Sequence, residues 1–408
     1  MRLRGRAYLV LTAVAVLFSI NAGGPFPYLA GYLTVTALIL AWLWTWLLQR
    51  GLTVTVAAEG RSFKVGDQVK IILRIENDSV FPAPWLELRD LSGIGAGAAE
   101  PEVLAVLPYS ESRRGRTLTL QRRGRYRAGP VEVALGDPLG LFEVRRRVEG
   151  RERFVVYPVP ARVDRLPLRY RQPFGRVPTR LRAHQDPTSL ADVRPMVPGD
   201  SPRFIHWKVS ARQGVLHVKE FELRATTAIV LVLDMNRAVQ AGEGDRRTDE
   251  TAASLALGVA AYAVRHDLPV GLLASGARRI RVAPGKGERH YRELRERLVD
   301  VQADGEAPLA SWLARERPAI PPGSSLVIIT PRLDRPLAST LLHSQRGGVD
   351  IVLLHLLPET FGSMERPEPM RARLRDLMAA GGIRILHLGA GGQGWEALRE
   401  AEVQAGAP

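Results

Sequence analysis

Three changes of periodicity predict an N-terminal transmembrane helical hairpin, then a small antiparallel β-sandwich, then a doubly wound α/β domain with a mainly parallel sheet. The first signal is a pair of uncharged apolar runs separated by a Gly-Gly-Pro-Phe-Pro turn. The second is a set of period-two strands punctuated by turn residues, and the third an alternation of apolar strands with helices. On this reading residues 1–50 form the hairpin, 51–160 the β-domain, 161–227 a connector with a distinctive motif, and 228–408 the α/β domain.

Composition bounds the functions open to such a chain. At 408 residues it exceeds one ordinary core, and with 46% hydrophobic and 24% charged residues it has the balance of a folded protein. It contains no cysteine, which excludes disulfides, thiolate metal sites and thiol catalysis. The net charge of +15 would suit nucleic acid, anionic lipid or an acidic protein. Nearly all of it is arginine, however, the only lysines being Lys64, Lys70, Lys208, Lys219 and Lys286. With neither a nucleic-acid motif nor a basic stripe interleaved with aromatics, no nucleic-acid partner is expected.

In the hairpin, Arg2, Arg4 and Arg6 precede an uncharged stretch from Ala7 to Ala22, and a second runs from Tyr28 to Leu48. The second can span the roughly 30 Å of bilayer hydrocarbon, whereas the first is near the lower limit. A cleaved signal peptide ending near Asn21 is the competing account, but it leaves the longer second run unexplained. Arginines at both outer ends, Arg2 to Arg6 and Arg50, place both ends on the cytoplasmic side by the positive-inside rule. Trp42, Trp44 and Trp46 suit either an interfacial belt or plain lipid-facing packing.

In the β-domain, strands are expected at Leu52–Val56, Val69–Ile75 and Trp85–Arg89, with turns at Gly66-Asp67 and Asn77-Asp78, and again at Arg116–Gln121, Val131–Ala134 and Phe154–Tyr157. Two segments, Arg123 to Pro130 and Gly136 to Phe142, read as turn chemistry, with Leu141 and Phe142 packed into a core.

From Leu166 to Asp186 runs a basic connector with Arg169, Arg171, Arg176, Arg180 and Arg182, either a solvated linker or a strip resting on anionic lipid. The stretch from Arg194 to Glu220 follows. Ser201 can cap a helix beginning at Pro202, and Gly214 can end it before a strand at Val215–Glu220. Asp200 would be favoured beside that helix start. The cations Arg203, Lys208, Arg212 and Lys219 make either a site for an anion or acidic peptide, or internal ion pairs with Asp200, Glu220 and Glu222.

This stretch resembles the hallmark of a bacterial family, domain of unknown function fifty-eight, which carries a Gly-Asp, an Arg, an Ile-Asp-Trp and an Ala-Arg at this spacing. Here those positions are Gly199, Asp200, Arg203, Ile205, His206, Trp207, Ala211 and Arg212, with His206 departing from the acid. The resemblance extends to the Arg-Gly-x-Tyr-x-x-Gly-Pro and Asp-Pro-Leu-Gly-Leu-Phe pieces and to the hairpin. It implies the bacterial inner membrane, with both termini and the soluble domains cytoplasmic. The implied partner is an AAA+ ATPase of the MoxR type, with transglutaminase-like membrane proteins often associated.

In the last part, strands are expected at Ala228–Asp234, Pro269–Ala274, Ser325–Thr330, Ile351–Leu356 and Ile383–Leu388, with helices at Thr248–Arg265 and Arg289–Val299 and near Leu337, Arg371 and Trp395. A ligand would bind at the carboxyl ends of the strands. The domain is similar to von Willebrand factor A domains, which start an Asp-x-Ser-x-Ser metal motif where this chain has Asp234-Met-Asn-Arg-Ala238. Asp234 and Asn236 offer oxygen, Ala238 none, and Arg237 adds a competing charge, so no cofactor, Mg²⁺ included, is expected.

Two functions follow. One is a membrane-tethered interaction module, not an enzyme, binding its partner through Asp200, Arg203, His206, Trp207, Lys208, Arg212, Lys219 and Glu220. The other is a metal-dependent hydrolase using Asp200, Glu220 and Asp234, with Lys219 assisting. Against the second, the sequence offers neither a phosphate-binding loop nor paired metal histidines.

Overall fold

The computed structural model describes residues 2–3, 6–22, 25–94, 100–168, 190–197, 202, 205–221, 228–321, 323–362, 369–392 and 398. The chain forms two units, the first comprising 1–159 with 242–254 and 295–300, the second 160–241, 255–294 and 301–408.

The first unit begins with a short strand, β1 (Arg2–Leu3), then α1 (Arg6–Ala22) and α2 (Pro25–Gly51), which pack together. Among the described residues α2 alone is long and apolar enough to cross a membrane. Its 27 residues extend about 40 Å, whereas the 17 of α1 reach about 25 Å. The last turns of α2 have two faces. Ala41, Thr45 and Leu48 are buried, and Trp44 packs on Phe81 at 4.5 Å while its indole N–H donates to Pro82 O at 3.2 Å. On the opposite side Trp42 and Trp46 stack, and the Arg50 guanidinium lies 3.7 Å over Trp46. No linker separates α2 from the next strand. Gly51 is required there, because a β-carbon would come within 2.7 Å of Ser79.

The strands that follow are β2 (Leu52–Ala58), β3 (Ser62–Lys64), β4 (Gln68–Asn77), β5 (Ala83–Asp90), β6 (Glu102–Val106), β7 (Ser110–Thr119), β8 (Gly124–Arg127), β9 (Val131–Gly136), β10 (Phe142–Val148) and β11 (Arg153–Tyr157). They form sheets of order β1-β10-β9-β5-β6, β2-β4-β7 and β3-β11-β8. Alternation sends Leu52, Val54 and Val56 inward and Thr53 and Thr55 outward. The inward residues of β2 and β4 meet Leu86, Leu88, Val133 and Leu135 of the five-stranded sheet in one core, which Leu48 of α2 joins. Register places the hairpin ends: Leu52 lies opposite Asn77, Asn77 opposite Ser110, Ala83 opposite Val106 and Glu143 opposite Gly136. Loops 78–82, 107–109 and 137–141 therefore gather at the end where α2 enters.

The second unit contains β12 (Leu190–Pro195), α3 (Trp207–Gln213), β13 (His217–Phe221), β14 (Ile229–Leu233), β15 (Val270–Ala274), β16 (Ile280–Gly285), α6 (Leu309–Glu316), β17 (Ser325–Thr330), α7 (Arg335–Arg346), β18 (Asp350–Leu356), α8 (Pro369–Ala380) and β19 (Arg384–Leu388). Helices α4 (Thr248–Arg265) and α5 (Gly287–Asp300) contribute residues to both units. Six strands form a sheet of order β16-β15-β14-β17-β18-β19, parallel except for β16. Val230, Val232, Ile328 and Leu353 pack with α6, α7 and α8, and the alternate residues Ile229, Leu231, Leu233 and Val327 are equally buried. Each such side chain contributes about 1.5–3 kcal/mol of burial.

Two expectations are corrected. Within the segment Arg123 to Pro130, read as turn chemistry, Gly124–Arg127 is strand β8 because it pairs along β11. The helix expected to start at Pro202 begins at Trp207, because Ile205 bridges to Val218 and the His206 N–H donates to His217 O at 2.8 Å. That pairing holds 205–206 extended. Ser201, the arginines 169–182 of the connector and the segment near Trp395 lie outside the described residues.

Candidate functional site

Strand β14 is the first of its sheet, with β15 on one side and β17 on the other, so the chain reverses its order between β14 and β17. A crevice opens at such a switch point in an open α/β sheet. Here it has a volume of about 160 Å³ and is lined by Asp234, Asn236, Leu309, Arg332, Asp334 and Leu337 among others. The Asp234 carboxylate accepts from the Thr330 hydroxyl at 2.7 Å and from the Asn236 N–H at 3.2 Å. Burial pushes its pKa above the usual carboxylate range; those two hydrogen bonds pull it back. Asn236 Oδ1 accepts from the Ala238 N–H at 2.8 Å, and its amide donates to Glu306 O and Ala307 O. Asp334 caps α7 by accepting from the Leu337 N–H at 3.0 Å and pairs with Arg332 at 3.2 Å.

These residues do not fit a hard divalent cation, which takes six or so oxygens. Two carboxylates are present, each oxygen already holds an internal donor, and the Arg332 guanidinium occupies the same crevice. Among the described residues no group of three or more His, Cys, Asp or Glu could hold a metal.

The motif segment is built differently. Strands β12 and β13 pair antiparallel, and α3 lies between them in sequence. His206 caps α3, its Nδ1 accepting from the Val209 N–H at 3.3 Å, the role an aspartate performs well. Gly214 closes the helix in the left-handed region at φ 70°. The Ser210 hydroxyl donates to His206 O and accepts from the His217 N–H, fastening α3 to β13. Trp207 is 68% exposed, and Lys208, Arg212, Val215 and Leu216 are exposed with it. Lys219 and Glu220 stand in β13 opposite Val193 and Asp192. Asp200 and Arg203 lie outside the described residues.

Sequence reasoning missed two clusters. Arg123 is buried: its guanidinium pairs with Glu250 at 2.9 Å and donates to Asp249 O at 2.9 Å and Leu298 O at 3.0 Å, all within the first unit. Burial raises the Glu250 pKa and Arg123 lowers it. In the second unit His355 of β18 and His387 of β19 are paired in register, their Nδ1 atoms 3.1 Å apart. No local pattern announces either, since the partners are far apart in sequence.

An apolar N-terminal helix followed by β-sheets and an open, mostly parallel α/β sheet defines the class. Residues 192–357 match the model of the family described as a protein of unknown function, DUF58. The uncharacterized protein YeaD of Bacillus subtilis (strain 168) is 23% identical over 330 residues, covering 78% of this chain and 80% of YeaD. Solved structures resemble it only locally. A CARDB domain from Pyrococcus furiosus, described in complex with di-metal ions, is 15% identical with a TM-score of 0.21, covering 26% of this chain and 91% of its own. Spo0M, a sporulation control protein of Bacillus subtilis, is 13% identical with a TM-score of 0.17, covering 26% and 49%. Scores this low leave the function to be read from the chain itself.

Proposed function

We propose that this chain is a membrane-anchored protein-interaction module, without catalysis of its own, that works with an AAA+ ATPase of the MoxR type. The carrying observation is the family-matching segment: a capped helix presents the exposed Trp207 with Lys208 and Arg212 beside it. Exposed tryptophan with flanking cations is the composition of an interface anchor. The partner contact in this reading also draws on Asp200, Arg203, His206, Lys219 and Glu220.

On the same reading the first unit is a β-sandwich and the second a von Willebrand factor A-like sheet whose crevice works without metal. The strand order and the place of Asp234 at the end of β14 support it. The anchor is a two-pass hairpin with both ends cytoplasmic. The pairing of β1 with β10 supports it, because Arg2–Leu3 then stands beside the domain that α2 enters. Transglutaminase-like membrane proteins remain further partners of this proposal. No observation favours the hydrolase.

The test is crosslinking of membranes carrying the full chain, with retained proteins identified by mass spectrometry. The intact chain is expected to retain a MoxR-type ATPase and the Trp207→Ala, Arg212→Ala double variant to lose it. Equal retention by both would remove the contact from α3, and retention by neither would remove the partner.

A further inference from the structure

We propose that the end of the β-domain from which α2 emerges is itself a membrane-contact surface, with Val80, Leu107, Tyr109 and Leu139 seated in the bilayer interface. The inference rests on the anchor reading above and adds a second, independent contact to it.

The four residues sit in the three loops that gather where α2 enters and are 60–71% exposed. Those loops carry one exposed charge, Asp78, since Asp137 is buried with its oxygens accepting from the Leu139 and Phe142 N–H groups at 2.9 and 2.6 Å. The opposite end of the same sheets is the reverse, exposing Glu59, Arg61, Asp67, Glu149, Arg151 and Glu152. A domain surrounded only by water has no reason to sort its loop tips in this way. A domain resting on lipid does.

Dimensions place the loops at the right depth. From Pro25 to Trp44 α2 measures about 29 Å, nearly the whole hydrocarbon thickness of about 30 Å. The bilayer edge therefore falls beside Trp44, which is where Phe81 and Pro82 pack. Asn77 ties that loop to its neighbour, its amide donating to Phe81 O at 2.9 Å and to Leu107 O at 3.0 Å. With no linker between α2 and β2, the loops cannot retreat from the surface. Arg50, stacked on Trp46, stands at the level of the headgroups. The same chain exposes apolar side chains along α2, including Leu33, Leu40 and Trp42, immediately before the loop tips in depth, which makes lipid the occupant.

Because the chain has no cysteine, single probes can be placed directly. The full chain would be reconstituted in phosphatidylcholine–phosphatidylglycerol vesicles with an environment-sensitive fluorophore at Val80→Cys, Leu107→Cys or Leu139→Cys. Reference probes sit at Arg61→Cys and Arg151→Cys, and an anchor probe at Leu33→Cys. Lipids bearing a nitroxide near the top of the acyl chain are expected to quench the loop probes about twofold or more above the reference probes, as shallow insertion requires. Loop probes quenched no more than Arg61→Cys, with Leu33→Cys quenched by a deep nitroxide, would overturn this proposal and leave the anchor standing. An unquenched Leu33→Cys would overturn both. Loop probes shielded from aqueous iodide yet untouched by lipid nitroxide would give the surface to a protein or a second copy, and refute it.

Discussion

Replacing Arg123 by alanine tests the least anticipated feature of the first unit. The side chain is 2% exposed and its partner Glu250 6%. Removing the guanidinium takes the ion-pair partner from a buried carboxylate and leaves it the Arg123 backbone N–H, a change that costs about 3–5 kcal/mol. The orphaned Asp249 and Leu298 carbonyls add to this, and Arg122, 3.8 Å from Glu250 on a half-exposed chain, recovers part. A net loss of about 4 kcal/mol is expected, or about 8–16 °C in the melting transition of a unit this size. The assay is thermal unfolding of the detergent-solubilised chain by circular dichroism, the two units being fitted as separate transitions.

Two controls sharpen that result. Glu250→Gln keeps an acceptor for the Arg123 N–H, so the Arg123→Met, Glu250→Gln pair should recover the part of the loss caused by the uncompensated carboxylate, the bonds to the Asp249 and Leu298 carbonyls staying lost. In Arg123→Ala the pKa of Glu250 rises further, since burial is no longer opposed by the guanidinium. A folded pKa raised above the unfolded value costs stability as pH climbs through it, so the defect should be small near pH 4 and full at neutrality. A loss under about 1 kcal/mol, or a double variant as damaged as the two singles summed, would refute the reasoning.

Asp234→Asn should stabilise the second unit at neutral pH and not near pH 4, because the raised pKa of Asp234 makes its ionisation costly as pH rises; melts showing the same change at both values would contradict this. His206→Ala should loosen α3 by about 1 kcal/mol while His206→Asp does not, read as hydrogen exchange of the Val209 and Ser210 amides. Burial and Arg375 hold the His387 pKa down against Glu359, so the parent should lose stability as pH falls from about 6.5 towards that folded value. His387→Gln should flatten the loss across that window, and an unchanged acid limb in a pH series of melts would count against it.

Where burial is decided by local pattern, the sequence was legible. The alternation of Leu52, Val54 and Val56 and the unbroken run Ile229–Leu233 announced β2 and β14, and helix α4 was bounded by its own periodicity. Strand β16 escaped notice because Arg281 and Pro284 interrupt an edge that needs only one apolar face. The eight residues of α6 are too few for a clear helical period. In the motif segment, caps could be named but not the competition: pairing of Ile205 with Val218 took the backbone that Pro202 would have led into a helix. The crevice was half legible. Asp234 and Asn236 stood out, but Thr330 lies 96 residues away, and Arg332 and Asp334 had no local reason to be singled out. Arg123 read only as the start of a turn segment until Glu250, 127 residues on, was brought beside it.

The continuous passage of α2 into β2 gives the chain a helical phase. A residue inserted after Trp44 would turn everything beyond it by about 100° and advance it about 1.5 Å. Trp44, ahead of the insertion, would then no longer face Phe81, whereas Leu48, beyond it, would turn with the β-domain and keep its place in that core. Length variation should therefore be tolerated before Ala41 and resisted from Ala41 to Gly51, except in steps near a whole turn. The azimuth of the β-domain about the helix axis is set by those ten or so residues alone.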